Sequence, residues 1–172
     1  MLRRTNFRSW VITLFVTLST ATMLFAAPAS AKSTKQTIQG PNGQTLTVSA
    51  TEVRDGQVLT ISGDKYDKKI GIYLAFCIVN AKGVIPGPCG GGVNAAGSAT
   101  SSVWISSNPP AYGKSLAVPF SKSGGFNQSL TVPRHIGDLD CATVKCAVVT
   151  RADHTKSSYR KADVIVPLKF KK

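Results

Sequence analysis

Five side chains between residues 140 and 155 hold most of the reactive chemistry in this chain. They are Cys141 and Cys146, with four residues between them, then Arg151, Asp153 and His154 at the end of an apolar run. Two thiols so placed close a small disulfide loop or supply half of a metal site. A guanidinium grips a carboxylate or phosphate through two parallel hydrogen bonds. An imidazole held by a carboxylate activates a hydroxyl nucleophile, and His135 with Asp138 offers the same pair a second time. Catalysis is nevertheless not the expected outcome. Adjacent residues on an extended strand point to opposite sides, so Asp153 is poorly placed to orient His154. The chain has no Gly-x-Ser-x-Gly elbow and no metal-binding histidine pair. A non-enzyme is expected, with no catalytic residue, cofactor or metal, and the two histidines read as surface or loop residues, His154 within reach of a ligand.

The remaining cysteines, Cys77 and Cys89, have eleven residues between them. Four cysteines in an exported chain form two disulfides in one of three pairings. Loop closure favours near neighbours, which selects Cys77 with Cys89 and Cys141 with Cys146. Chain entropy makes these loops worth about 3 and about 2 kcal/mol respectively. A four-cysteine zinc site would more usually show Cys-x-x-Cys pairs.

Export is read from the amino terminus. Arg3, Arg4 and Arg8 precede an uncharged run over residues 10–27, and Ala29-Ser30-Ala31 fits the small-x-small rule of signal peptidase. Residues 1–31 are therefore expected to be a signal peptide. A retained anchor is the alternative, because the run is near the length that spans a bilayer. Formal charge falls from +13 to +10 once the three arginines are removed. Outside a cell such a charge meets anionic cell-wall polymers or lipid head groups first. No aromatic residues interleave with the basic ones, so direct nucleic-acid binding is not expected. No transmembrane segment is expected after cleavage, and a monomer is.

Residues 32–44 are polar, contain Gly40-Pro41-Asn42-Gly43 and have no apolar period, which predicts a flexible leader. One domain follows over residues 45–172. Alternation of Leu46 and Val48, of Leu59 and Ile61, of Leu116, Val118 and Phe120, of Leu130 and Val132, and of Val164, Val166, Leu168 and Phe170 predicts strands with one wet face. Pro167 points to an edge position for the last of these. Residues 71–79 differ. Ile72, Leu74 and Phe76 line one face and Tyr73, Ala75, Cys77 and Val79 the other, so something must cover the second face. The loop tethered by Cys89, a neighbouring chain and a bound apolar ligand are the three covers. Trp104, in a short apolar segment with Val103 and Ile105, is either core or, with Tyr112, an aromatic binding patch. Residues 146–151 supply another strand. No segment after residue 31 has a helical period, so the fold class is an all-β sandwich.

Three stretches carry a resemblance. They are Asp55-Gly56-Gln57-Val58-Leu59-Thr60-Ile61-Ser62-Gly63, Gly71-Ile72-Tyr73-Leu74-Ala75-Phe76-Cys77, and Gly137-Asp138-Leu139-Asp140-Cys141-Ala142-Thr143-Val144-Lys145-Cys146. In these the chain resembles the neocarzinostatin and macromomycin family of secreted actinobacterial apoproteins. The resemblance implies a seven-stranded immunoglobulin-like sandwich with two local disulfides, in a Gram-positive actinobacterium. It also implies a non-catalytic carrier whose cleft holds a labile, DNA-cleaving chromophore, so that any antimicrobial action would come through the cargo. This chain departs from the family pattern at the cleft. Val79 stands where the family has a large aromatic, Gly87 where it has a bulky apolar residue, Ala147 where it has a polar one and Arg151 where it has a small hydroxyl.

The expected function is thus a secreted binding protein that carries a hydrophobic small molecule on the face of residues 71–79 and 146–151. The candidate ligand-binding residues are Tyr73, Val79, Trp104, Ala147 and Arg151, with Arg151 suited to an acidic group. The alternative is a basic cell-envelope protein without cargo, acting in adhesion or envelope assembly. Fold alone does not choose between them, because function belongs to the site.

Overall fold

The structure, a computed structural model, describes residues 34–91 and 101–171. The expected signal peptide at residues 1–31, the first residues of the leader and Gly92 lie outside the described residues. Among the described residues eleven strands follow in order: β1 (Gln36–Gln39), β2 (Thr45–Val48), β3 (Glu52–Val53), β4 (Gln57–Asp64), β5 (Ile72–Ile78), β6 (Ser102–Ile105), β7 (Phe126–Val132), β8 (His135–Ile136), β9 (Leu139–Asp140), β10 (Cys146–Ala152) and β11 (Val164–Phe170). One sheet has the order β1-β2-β4-β7 and the other β3-β11-β10-β5-β6, while β8 and β9 form a hairpin of their own. The chain is all-β, a sandwich of two sheets with both disulfides local, Cys77 to Cys89 and Cys141 to Cys146. All four cysteines are consumed in these bonds. No helix among the described residues is long and apolar enough to cross a membrane.

The predicted alternations fill the space between the sheets. Leu46, Val48, Leu59, Ile61, Leu130 and Val132 from one sheet and Ile72, Leu74, Phe76, Val148, Val164 and Val166 from the other are buried in one cluster. Each large side chain so buried contributes about 1.5–3 kcal/mol. Strands β2, β4, β5, β6, β7, β10 and β11 make the expected sandwich, and β1 and β3 add one strand to each sheet.

Three expectations change. Residues 36–39, read as part of a flexible leader, form β1, in register with β2 from Gln36 opposite Val48 to Gln39 opposite Thr45. The ladder is supported by Thr37 and Thr47, whose hydroxyls lie 2.8 Å apart, so cross-strand pairing replaces the missing apolar period. Residues 116–120 are not a strand. Only Val118 pairs, as a parallel bridge to Ile105, because the next N–H on that side, that of Phe120, goes to the Ser107 hydroxyl at 3.2 Å instead of to a strand. Finally β11 is flanked on both sides, by β10 and, at Lys169 and Phe170 only, by β3. Lys169 and Lys171 donate their N–H groups to the β3 side. Pro167 would have pointed its N–H the same way, just before that pairing begins, which is why a proline is tolerated in an interior strand.

Tyr66, in the charged loop after β4, is 6% exposed and stands between Phe120 and Phe126. Its turn needs Gly124, at φ +79°, where a Cβ would stand 2.2 Å from the Tyr66 carbonyl oxygen. Thr150 Oγ1 donates to the Ala162 carbonyl and accepts from the Tyr66 hydroxyl at 3.1 Å. Burial pushes the Tyr66 phenol above its ordinary 10.0, and the Thr150 bond offsets this only in part. The stability this group contributes is therefore complete below about pH 10 and is lost as pH rises further. In an alkaline titration, phenolate absorbance is expected to stay below the amplitude of all four tyrosines until the fold is lost. Full amplitude in the folded protein near pH 10 would contradict this.

Candidate functional site

The outer face of the five-stranded sheet follows from the register. On β5, Ile72, Leu74 and Phe76 point inward, which sends Tyr73, Ala75 and Cys77 outward. Across β10 these meet Arg151, Val149 and Ala147, and across β6 Tyr73 and Ala75 meet Trp104 and Ser102. Ala75, Cys77, Ala147 and Val149 are buried in a small cluster of their own, with Val79, Cys89 and Ile165 packed against it. The loop tethered by Cys89 reaches this face. Its far side runs beside β5 where β6 has ended, with Gly87 N–H donating to Ile78, Ile78 N–H to Pro88 and Gly90 N–H to Phe76. Asn80 Nδ2 holds the Ile85 and Gly87 carbonyls at 2.8 and 2.9 Å. Buried Pro86 accepts a bond from Arg151 Nη1 at 3.2 Å. The first of the three covers is thus in place.

Four rings gather at the Tyr73 end of this face. Trp104 lies 5.2 Å from His154, 6.2 Å from Tyr73 and 6.4 Å from Tyr112 between ring centroids. Trp104 is 3% exposed. The turn Ala111–Gly113 closes on it so tightly that a Cβ at Gly113 would stand 2.3 Å from Cη2. Its indole N–H donates to Asp153 Oδ2 at 2.9 Å. Asp153 is 1% exposed and also accepts from the Thr155 N–H and hydroxyl, capping the turn His154–Lys156. Gly71 leaves the room this carboxylate needs, since a Cβ there would stand 1.9 Å from Oδ2. Trp104 is therefore a structural wall of the site rather than an open stacking platform.

His154 turns away from Asp153. Its Nδ1 meets the Tyr73 hydroxyl and its Nε2 meets the Tyr112 hydroxyl at 2.5 Å. A neutral imidazole donates at one nitrogen and accepts at the other, so one phenol donates to it and the other accepts. Neither nitrogen is left to activate a serine. The second pair is separated as well. His135 and Asp138 are exposed on the β8–β9 hairpin, and the nearby carboxylate that is bound is Asp140, gripped through two 2.8 Å bonds by Arg134. That guanidinium holds the Asp140 carboxyl well below its usual range.

Beside the rings is a recess of about 150 Å³, lined by Tyr73, Ile85, Arg151, His154, Ser157 and Arg160 among others. The Arg151 guanidinium lies 5.8 Å from the Tyr73 ring centroid. Arg160 is anchored, with Nη1 2.9 Å from Asp163 Oδ2 and Nη2 donating to the Ser157 carbonyl at 2.7 Å. Burial pushes the Asp163 carboxyl up against the opposing pull of Arg160 and Arg151. Arg151 has no such anchor. Among the described residues no carboxylate lies within ion-pair distance of it. Its Nε is buried without an acceptor, as are the Nε and Nη1 of Arg160, whose contact with Asp163 is an ion pair without hydrogen-bond geometry. Burial also raises the Tyr73 phenol, with the His154 bond opposing. Two cations beside an aromatic wall suit an anionic group with a flat apolar neighbour.

Of the candidate residues, Tyr73, Trp104 and Arg151 come together. Val79 and Ala147 do not join them. They lie at the disulfide end of the face, where Ala147 is fully buried and Val79 N–H donates to the Lys145 carbonyl at 2.8 Å. Sequence reasoning missed Arg160 and Ile85. Ile85 had a usable signal in its place within the Cys89 loop, whereas Arg160 is one of several cations in a basic loop.

No family model matches the chain, and no curated protein matches it. Among solved structures the chain is similar to macromomycin, with 17% sequence identity and a TM-score of 0.49. The match covers 74% of this chain and 99% of that one.

Proposed function

We propose that the chain is an exported, non-catalytic binding protein that holds a hydrophobic small molecule bearing an acidic group at the outer face of β5 and β10. Arg151 carries this reading. It is a half-buried cation without a carboxylate partner among the described residues, and its Nε has no acceptor. A guanidinium partly removed from water with an N–H left unmet carries a cost, opposed here by the Pro86 carbonyl and, from beyond ion-pair distance, by Asp163. A carboxylate or phosphate in the recess supplies the missing acceptor, with Arg160 as second cation and Tyr73 as the flat wall. The recess is smaller than the roughly 300–1,000 Å³ of whole-ligand pockets. It therefore takes the acidic group and what adjoins it, while the apolar body lies against the exposed Ile85 and Tyr112. Two disulfides fit an oxidising compartment outside the cytosol.

The test is native mass spectrometry of protein isolated from its own culture medium and cell wall, set against the denatured mass. A stoichiometric extra mass that denaturation releases is expected. Arg151→Ala is expected to weaken retention roughly tenfold or more, because truncating one side of a buried charge pair acts on dissociation. A bare wild-type chain overturns the proposal. It favours the second reading, a basic envelope protein without cargo, for which the formal net charge of +10 that remains without residues 1–31 is the motive. That reading requires release from anionic wall polymers by high salt.

A further inference from the structure

At the end of β10 opposite Arg151, a separate cleft of about 600 Å³ opens between the Cys141–Cys146 turn and the last residues of β11. The volume is within the range of small-molecule sites. Its apolar floor is Val144, Leu168 and Phe170, and its rim holds Lys145, Lys169 and Lys171. Among the described residues the only carboxylate lining it is Glu52, which Lys171 engages at 3.2 Å. Lys145 and Lys169 are exposed, and among the described residues no carboxylate is within ion-pair distance of either. The cleft thus pairs an apolar strip with two ammonium groups free to meet an anion.

We propose that this cleft binds a single-chain amphiphile with an anionic head, a long-chain carboxylate in its simplest form. The alkyl chain lies along Val144, Leu168 and Phe170, where it is removed from water, and the head is met by Lys145 and Lys169. A polar polyanion would leave the floor unused, and an uncharged apolar molecule would leave the two ammonium groups unmet. Glu52 already pairs with Lys171, so the net positive charge is concentrated at the two free lysines. This site shares no lining residue with the recess at Arg151, and the inference does not depend on the function proposed there.

Dodecanoate is the probe, used below its micelle-forming concentration and followed by calorimetry and native mass spectrometry on the full mature chain. One dodecanoate per chain is expected at this cleft, and any second equivalent that Arg151→Ala removes belongs to the recess. Dodecyltrimethylammonium, with the same tail and the opposite head, and acetate, with the head alone, are expected to bind at least about tenfold more weakly. K145E/K169E is expected to lower dodecanoate affinity by about tenfold, since both contacts are solvent-exposed and individually modest. Lys122→Glu, at an exposed lysine that lines neither cavity, is expected to leave it unchanged. The lysines are surface residues, and a thermal unfolding curve checks that the double variant is folded. A second variant, Val144→Ser, acts on the tail without adding charge beside either lysine and is expected to weaken binding. Equal binding of the cationic amphiphile, no loss in K145E/K169E, or an equal loss in Lys122→Glu overturns the proposal.

Discussion

Asp153→Ala is expected to lower the free energy of unfolding by about 3 kcal/mol, with a fall in Tm on the order of 10 °C. The carboxylate is 1% exposed and accepts three bonds, from Trp104 Nε1 and from the N–H and hydroxyl of Thr155. Removing it strands the indole N–H of a buried tryptophan, which alone costs about 1–3 kcal/mol. It also uncaps the turn His154–Lys156, for about 1 kcal/mol. The loss should spread into the site, because Trp104 and His154 are the two rings in closest contact there. A double-mutant cycle with Trp104→Phe separates the terms. In the Phe background no indole N–H remains to be stranded, so Asp153→Ala should cost about 1–2 kcal/mol less than in the native chain. An equal cost in both backgrounds would mean that the Trp104 bond contributes nothing and that capping and packing carry the effect.

The strands were legible where one face is dry. Leu59 with Ile61, and Val164 with Val166, Leu168 and Phe170, alternate in sequence and face the core in space. The same signal misled at residues 116–120, because alternation reports which side chains could share a face and not whether the backbone can form a ladder. Here the Phe120 N–H, next on the pairing side, is taken by the Ser107 side chain. The opposite failure is β1, whose partner supplies the hydrogen bonds that its own composition does not advertise. Part of the site could be read for a physical reason. Once residues 71–79 and 146–151 are taken as neighbouring antiparallel strands, Tyr73 falls opposite Arg151. What could not be read is anything that depends on a loop's path. Arg160 enters the recess from the turn Arg160–Ala162, and the direction of that turn is set by tertiary packing. Trp104 shows the limit within a strand, since periodicity gives its face but not whether Gly113 and Tyr112 close over it.

Loss of the Cys77–Cys89 bond should show how far the recess depends on that loop. In C77A/C89A the unfolding free energy is expected to fall by about 3 kcal/mol, against about 2 kcal/mol for C141A/C146A, because the closed loops differ in length, with sequence separations of 12 and 5. Alanine is the informative replacement at position 77. Cys77 is fully buried beside Ala75, Ala147 and Val149, where a serine hydroxyl would add its own desolvation cost. The two variants should differ more in the site than in stability. The Cys141–Cys146 turn supports the cleft at Lys145, whereas the Cys77–Cys89 loop places Pro86, whose carbonyl accepts from Arg151. C77A/C89A should therefore become sensitive to protease within residues 80–88, with Arg151 less firmly oriented, while C141A/C146A keeps that loop protected. The bonds from Gly87, Ile78 and Gly90 survive the substitution and oppose this outcome. If they suffice, C77A/C89A stays resistant in residues 80–88, and the disulfide contributes chain entropy without shaping the recess.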